Sequence, residues 1–263
     1  MRRYRRRLDP VGFILPALLL AIWYFVGKSG EIPAYLLPGP ESVLQVMADF
    51  VSGTAKLTPY SGKLIENLSA SFLRVITGFA IALVFGLLMG FLTGRIKPVK
   101  RLIDPLVQAI RTVPGIGWLP IAMVWFGVGE QTTVFLISLA AFFPIYINTA
   151  HGASEVPAAL IRAGKMLGAN EGKIFTTVIL PAAFPAVVVG LRLGLGVAWA
   201  YLVLGELTGV STGLGAVMMD SRMMGQVEMI LVSMVCIAVM GILTDRILLW
   251  SCRLIFPLSG REG

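Results

Sequence analysis

Long apolar runs broken by short polar turns set the plan of this 263-residue chain. About 20 consecutive apolar residues carry a helix across a bilayer. Six stretches reach or approach that length, at about 10–27, 68–94, 104–127, 132–150, 183–207 and 228–250. The pattern predicts an all-α membrane protein with six transmembrane helices in a single domain spanning 1–263. The first run follows "MRRYRRR" and resembles the core of a signal peptide, but "AIWYFVGKSG" offers no small-residue cleavage site. It is read as an uncleaved first span.

Finer features sit on this plan. In "LLPGPESVLQVMADFV" the Pro38-Gly39-Pro40 turn precedes Val43, Leu44, Met47, Phe50 and Val51 at helical spacing, which predicts an interfacial or capping helix. Gly86, Gly90 and Gly94, and again Gly190 and Gly194, recur every four residues, the spacing that lets membrane helices approach closely. In "RTVPGIGWLP", Pro114, Gly115, Gly117 and Pro120 predict a break within the third run. Irregular backbone at membrane depth is tolerated when buried in protein or lining a wet cavity. Both readings stay open, and Trp118 and Trp125 are candidates for lining such a path.

Composition strengthens the membrane reading: 57% of residues are hydrophobic, 14% are charged and the mean hydropathy is +0.84. The net charge of +8 changes its meaning once the basic residues are placed. They cluster at the ends of alternate runs, not on a basic amphipathic helix, so nucleic acid is not an expected partner. Threading the chain with its start in the cytoplasm puts Arg2, Arg3, Arg5, Arg6, Arg7, Arg95, Lys97, Lys100, Arg101, Arg162, Lys165, Lys173, Arg253 and Arg261 inside. Only Lys28, Lys56, Lys63 and Arg222 fall outside. This predicts both termini on the cytoplasmic side. One histidine and two cysteines, Cys236 and Cys252, offer no metal cluster. No catalytic residue and no metal site are expected.

The segment 151–182 is polar where the rest is apolar, and the threading places it in the cytoplasm. Its punctuation predicts two short helices: Ser154 capping the first, Pro157 in its first turn, Gly168 ending it, then Asn170 capping a second that runs to about Ile179 before Pro181. Leu160, Ile161, Gly164 and Leu167 form an apolar stripe on the first helix, which requires the bilayer surface, its own bundle or a partner to pack against. "GANEGKI" and "GKS" lack the spacing of a phosphate-binding loop, so ATP is not expected to bind this chain by that route.

The stretch "RAGKMLGANEGKIFTTVILP" resembles the cytoplasmic loop of ABC-importer permeases, whose pattern is Glu-Ala-Ala, three residues, Gly, nine residues, then Ile-x-Leu-Pro. Aligned on Leu180-Pro181, Gly168 falls on the family glycine, Val178 on the isoleucine and Ala163 on the first alanine. Arg162 stands where the family usually has glutamate, and Gly164 where the second alanine is common. "LLPGPESVL", "RTVPGIGWLPIAMVWFGVGE", "LPAAFPAVVVGLRLGLGVAWAYLVLGEL" and "TGLG" extend the likeness to the branch for taurine and other sulfonates, nitrate and bicarbonate. The resemblance implies a non-catalytic inner-membrane permease of an ATP-driven importer. Leu160, Ile161, Arg162, Ala163, Gly164, Gly168 and Pro181 would then belong to a coupling loop that docks in a cytoplasmic ATPase subunit. It further implies two ATPases that bind ATP and magnesium, a second, identical permease and a periplasmic or lipoprotein binding protein. No cofactor is implied in this chain itself, whose other neighbour is lipid.

Ionisable residues at membrane depth are functional candidates by default. Arg111, Pro114, Trp118, Arg192 and Glu206 are therefore the path or gate candidates. For Arg111 and Arg192 an interfacial position or a fixed ion pair is the competing account. For Glu206 a structural or gating role fits better than holding an anion. A secondary transporter is the alternative of another class; it would show inverted repeats, and none is evident.

Overall fold

A computed structural model describes residues 11–29, 32–33 and 35–255. These form helices and turns, without a strand among the described residues. Arg2, Arg3, Arg5, Arg6, Arg7 and Arg261, and the start of the first expected span, lie outside them. Each apolar run has its helix: α1 (Val11–Ser29), α3 (Leu64–Arg95), α6 (Glu130–Ser154), α9 (Leu180–Glu206) and α11 (Val227–Ile255), with α2 (Pro40–Ser52) after the first turn. Among the described residues four helices, beginning at Leu64, Glu130, Glu171 and Val227, are long and apolar enough to cross a membrane. The described apolar part of α1, Ile14–Ser29, is shorter.

The run at 104–127 is not one straight span. It begins earlier as α4 (Lys97–Thr112), passes a 3₁₀ turn (Gly115–Trp118) and continues as α5 (Leu119–Phe126), bent by 93°. Pro114 supplies no N–H to α4 and biases Val113 to extended backbone (φ −72°, ψ 119°), so the break falls where the sequence predicts it. A helix that the hydropathy pattern did not foreshadow, α10 (Leu214–Met223), begins within the "TGLG" stretch.

Contacts divide the chain into two compact units, Met1–Ile65 with Val217–Val235, and Glu66–Ala216 with Cys236–Gly263. In the first, Trp23 Nε1 donates to the Pro38 carbonyl (3.1 Å). On α2, Val43, Val46 and Phe50 are buried while Leu44 and Val51 face outward, a narrower stripe than the spacing suggested. Buried Asp49 closes the following turn by accepting from the N–H groups of Ala55, Lys56 and Leu57 (2.9 Å each) and from the Ser61 hydroxyl. The Ser61 contact, followed by those amides, holds its carboxyl below the usual range. Tyr60 donates to Asp220 (2.6 Å); burial, then this bond, raises its phenol pKa.

In the second unit α6 lies between α3 and α9, and the glycine rows explain how. A Cβ on Gly78, Gly86 or Gly90 of α3 would lie 2.6–2.7 Å from Ile137, Ile145 and Thr149 of α6. On the other side, Cβ atoms on Gly190 and Gly194 of α9 would meet Asn148 (2.8 Å) and Ile145 (3.0 Å). The four-residue spacing thus works as read, and Ile145 packs into both rows. Around it lie Val75, Phe79, Ala141, Leu191, Leu195 and Trp199. Tyr146 donates to Asp104 (3.0 Å), which ties α4 to α6.

Candidate functional site

Three places in the second unit carry chemistry. The first surrounds Glu206, the last residue of α9, which is 1% exposed. Its carboxylate accepts from the Ser71 hydroxyl (2.8 and 2.9 Å), Arg74 Nη1 (2.7 Å) and the Gly215 N–H (2.8 Å). Arg74 also donates to the Thr212 carbonyl (2.6 Å) and to Glu130 (2.8 Å). Asn67 and Ser71 accept from the Gly213 and Leu214 amides (2.9 and 2.8 Å). Gly213 has φ +130° and a Cβ there would lie 2.4 Å from Glu206 Oε1, so glycine is required for the turn to close on the carboxylate. The arrangement can hold the "TGLG" turn against α3 and α9. Asn67, Ser71 and Arg74 are not among the sequence candidates, although an arginine ten residues into an apolar helix signals a carboxylate partner.

Arg192 does not approach Glu206; it makes a two-pronged pair with Asp245 of α11 (2.8 and 2.9 Å). That is the fixed ion pair, the competing account given for it above. Arg74 and Glu130 also line an open groove of about 790 Å³ between α3 and α6, walled mainly by apolar groups such as Leu73, Ile81, Val134 and Phe135.

The second place lies beside the break between α4 and α5. A pocket of about 130 Å³ brings together Arg111, Pro114 and Trp118 with Gly115, Phe143, Val197 and Tyr201. Three of the five path candidates thus share one site, while Arg192 and Glu206 do not line it. Trp125 also lies elsewhere, edge-on to Phe126 and Phe135. Tyr201 belongs to the site because Gly115 admits it: a Cβ on Gly115 would stand 1.7 Å from the phenol oxygen. No local pattern around Gly115 or Tyr201 foreshadows that approach.

The third is the polar segment. Its first helix, α7 (Ala158–Met166), starts after Pro157; Ser154 instead ends α6, where its hydroxyl donates to the His151 carbonyl (2.8 Å) and caps nothing. Gly168 ends the helix as expected, at φ +77° with its N–H on the Lys165 carbonyl. Asn170 caps α8 (Glu171–Ile174), its side chain accepting from the Lys173 N–H (2.8 Å). The second helix does not stop before Pro181. It passes through a π turn (Phe175–Ile179) into α9, which forms one 36-residue helix from Glu171 to Glu206. A widened turn accommodates the proline ring and its missing N–H without breaking the rod.

The apolar stripe splits in two. Ile161 packs with Val156, Ile174 and Ile179, and Gly164 faces Ile174, where a Cβ would lie at 3.4 Å. Leu160, Met166 and Leu167 face away and are 49%, 85% and 87% exposed. Gly164 is therefore a crossing point between α7 and α8, not part of the outward face. Arg162 and Ala163 are exposed, and Lys165 pairs with Glu171 (2.6 Å).

Residues 70–257 match the family described as binding-protein-dependent transport system inner membrane component. The chain belongs to this family. It is a multi-pass membrane protein and the non-catalytic permease subunit of an ABC transporter, a kind of protein that works with an ATPase and a substrate-binding protein. The putative aliphatic sulfonates transport permease protein SsuC of Bacillus subtilis (strain 168) is 37% identical over 89% of this chain and 82% of its own. The taurine transport system permease protein TauC of Escherichia coli (strain K12) is 32% identical, covering 87% and 82%. The nitrate import permease protein NrtB of Synechocystis sp. is 31% identical, covering 97% and 96%. Among solved structures, an inward-facing MetNI methionine ABC transporter chain shares the fold, with TM-score 0.55, 24% identity, and 74% and 94% coverage.

Proposed function

We propose that the chain is the permease of an ATP-driven importer for a small organic sulfonate, taurine or an alkanesulfonate, in the inner membrane of a bacterium. The reading has six spans in one domain, α4 to α5 counted as the third, with both termini in the cytoplasm. Two identical permeases would enclose the path and two ATPases, which bind the ATP and magnesium, would sit beneath them. A periplasmic or lipoprotein binding protein would deliver the cargo. Relatives named for sulfonates and taurine at 37% and 32% identity support this cargo. Nitrate is the second reading, supported by the relative that spans 97% of the chain, and bicarbonate belongs with it.

The observation that carries the coupling role is the two-sided α7. Ile161 and Gly164 fix the loop to its own body while Leu160, Met166 and Leu167 present an apolar face that no described residue covers. The continuous helix from Glu171 through Pro181 to Glu206 would carry a displacement of that face toward the Glu206 end. Residues Arg162, Ala163 and Gly168 complete the loop, and Arg111, Pro114 and Trp118 lie on the path. Glu206 closes the opposite end, and Arg192 braces α9 on α11.

Copurification of the tagged chain from native membranes tests this, with ATP hydrolysis followed as anions and binding proteins are added. An attached ATPase stimulated by a sulfonate-loaded binding protein is the expected result. A lone chain that moves solute without ATP would make it a secondary carrier.

A further inference from the structure

The pocket beside the α4–α5 break has a lopsided chemistry. Arg111 brings a positive charge, and no carboxylate is among the lining residues. Among the described residues Arg111 makes no ion pair, and the Tyr201 hydroxyl makes no hydrogen bond. Trp118 Nε1 is shielded from solvent and has no acceptor. Buried donors are almost always satisfied, so the orphaned Trp118 N–H, set beside the exposed Arg111 guanidinium and the half-buried Tyr201 hydroxyl, points to something that brings acceptors. The remaining walls, Val113, Leu139, Phe143 and Val197, are apolar.

We propose that this pocket is a transit site for a short alkylsulfonate, with its oxygens taken by Arg111, Trp118 Nε1 and Tyr201 and its tail against Val197 and Phe143. This rests on the importer reading above. A sulfonate has three oxygens, carries no proton at neutral pH and continues into a carbon chain, matching three donors backed by an apolar wall. About 130 Å³ is the room of roughly four waters, enough for a head and a two- or three-carbon tail. One guanidinium holds an anion weakly enough to release it, as a path requires. Gly115 is part of the device, because only the missing Cβ lets the Tyr201 phenol reach the pocket.

The test uses the whole complex in liposomes, with its binding protein and ethanesulfonate as probe, and reads sulfonate moved per ATP hydrolysed. Arg111→Gln should lower that ratio by about tenfold or more, and Tyr201→Phe by about threefold to tenfold. Gly115→Ala, which leaves every donor in place, should behave like Tyr201→Phe. Arg111→Lys should recover most of the transport. If the wild-type complex moves ethanesulfonate and all three damaging variants match it, the pocket assignment fails and the importer reading stands. If the wild-type complex moves no sulfonate, the sulfonate reading fails and takes the pocket assignment with it.

Discussion

Arg74 and Arg111 are the same side chain in opposite circumstances. Arg74 is 4% exposed and its guanidinium is shared between Glu206, Glu130 and the Thr212 carbonyl. Arg111 is exposed and, among the described residues, has no carboxylate partner. A charge whose terminal nitrogens are partnered by the chain, as both Nη atoms of Arg74 are, holds the fold together, because removing one partner strands another away from water. A charge left without partners contributes little to the fold and remains available to a passing anion. Both residues lie in or beside apolar runs, so hydropathy alone treats them alike.

The contrast is sharpest on deletion. Arg74→Ala should cost about 3–5 kcal/mol of stability, since Glu206 is left buried and unpaired. Arg111→Gln should change stability by no more than about 0.5 kcal/mol. Thermal unfolding of the purified variants in one detergent checks both, and equal losses would break the comparison. Glu206→Gln should be intermediate, at about 1–3 kcal/mol. Its amide would turn a donor toward the Arg74, Ser71 or Gly215 donors that the carboxylate now accepts. The same unfolding series reads this.

Arg192 supplies a third case. Its pair with Asp245 is two-pronged but about half of the Arg192 side chain is exposed, so Arg192→Gln should cost less than about 1 kcal/mol. A loss as large as that of Arg74→Ala would show that number of contacts, not burial, sets the scale. The effect at Asp49 is the most local. Its folded pKa is depressed, so its contribution is present above the ordinary aspartate value of about 3.9 and is lost as pH falls through the lower folded value. Hydrogen exchange at the Ala55, Lys56 and Leu57 amides should therefore rise in acid before the rest of α2 opens. Protection that persists to the lowest pH would show that the backbone bonds of Gly53 and Gly62 to the Asp49 carbonyl suffice.

Local chemistry made a large part of this protein readable from its sequence. Hydropathy located a helix in every apolar run, Pro114 set the break, Gly168 and Asn170 shaped the polar loop, and the glycine rows marked the close helix contacts. Each of these depends on neighbours a few residues away, through missing N–H groups, positive φ, a cap, or the period of a helix face. The errors had the same origin. Ser154 is an equally good cap or last-turn residue, and only the length of α6 decides which. Pro181 reads as a stop unless a π turn precedes it, and Gly164 reads as part of an outward stripe unless α8 folds back over it. What the tertiary structure alone decided is which distant groups meet. Glu206 finds Ser71 and Arg74 across more than 130 residues, and Tyr201 reaches Gly115 across the α4–α5 break. Hydropathy reports that a residue prefers water or lipid, whereas partnership depends on where two helices cross, and no local rule encodes that crossing.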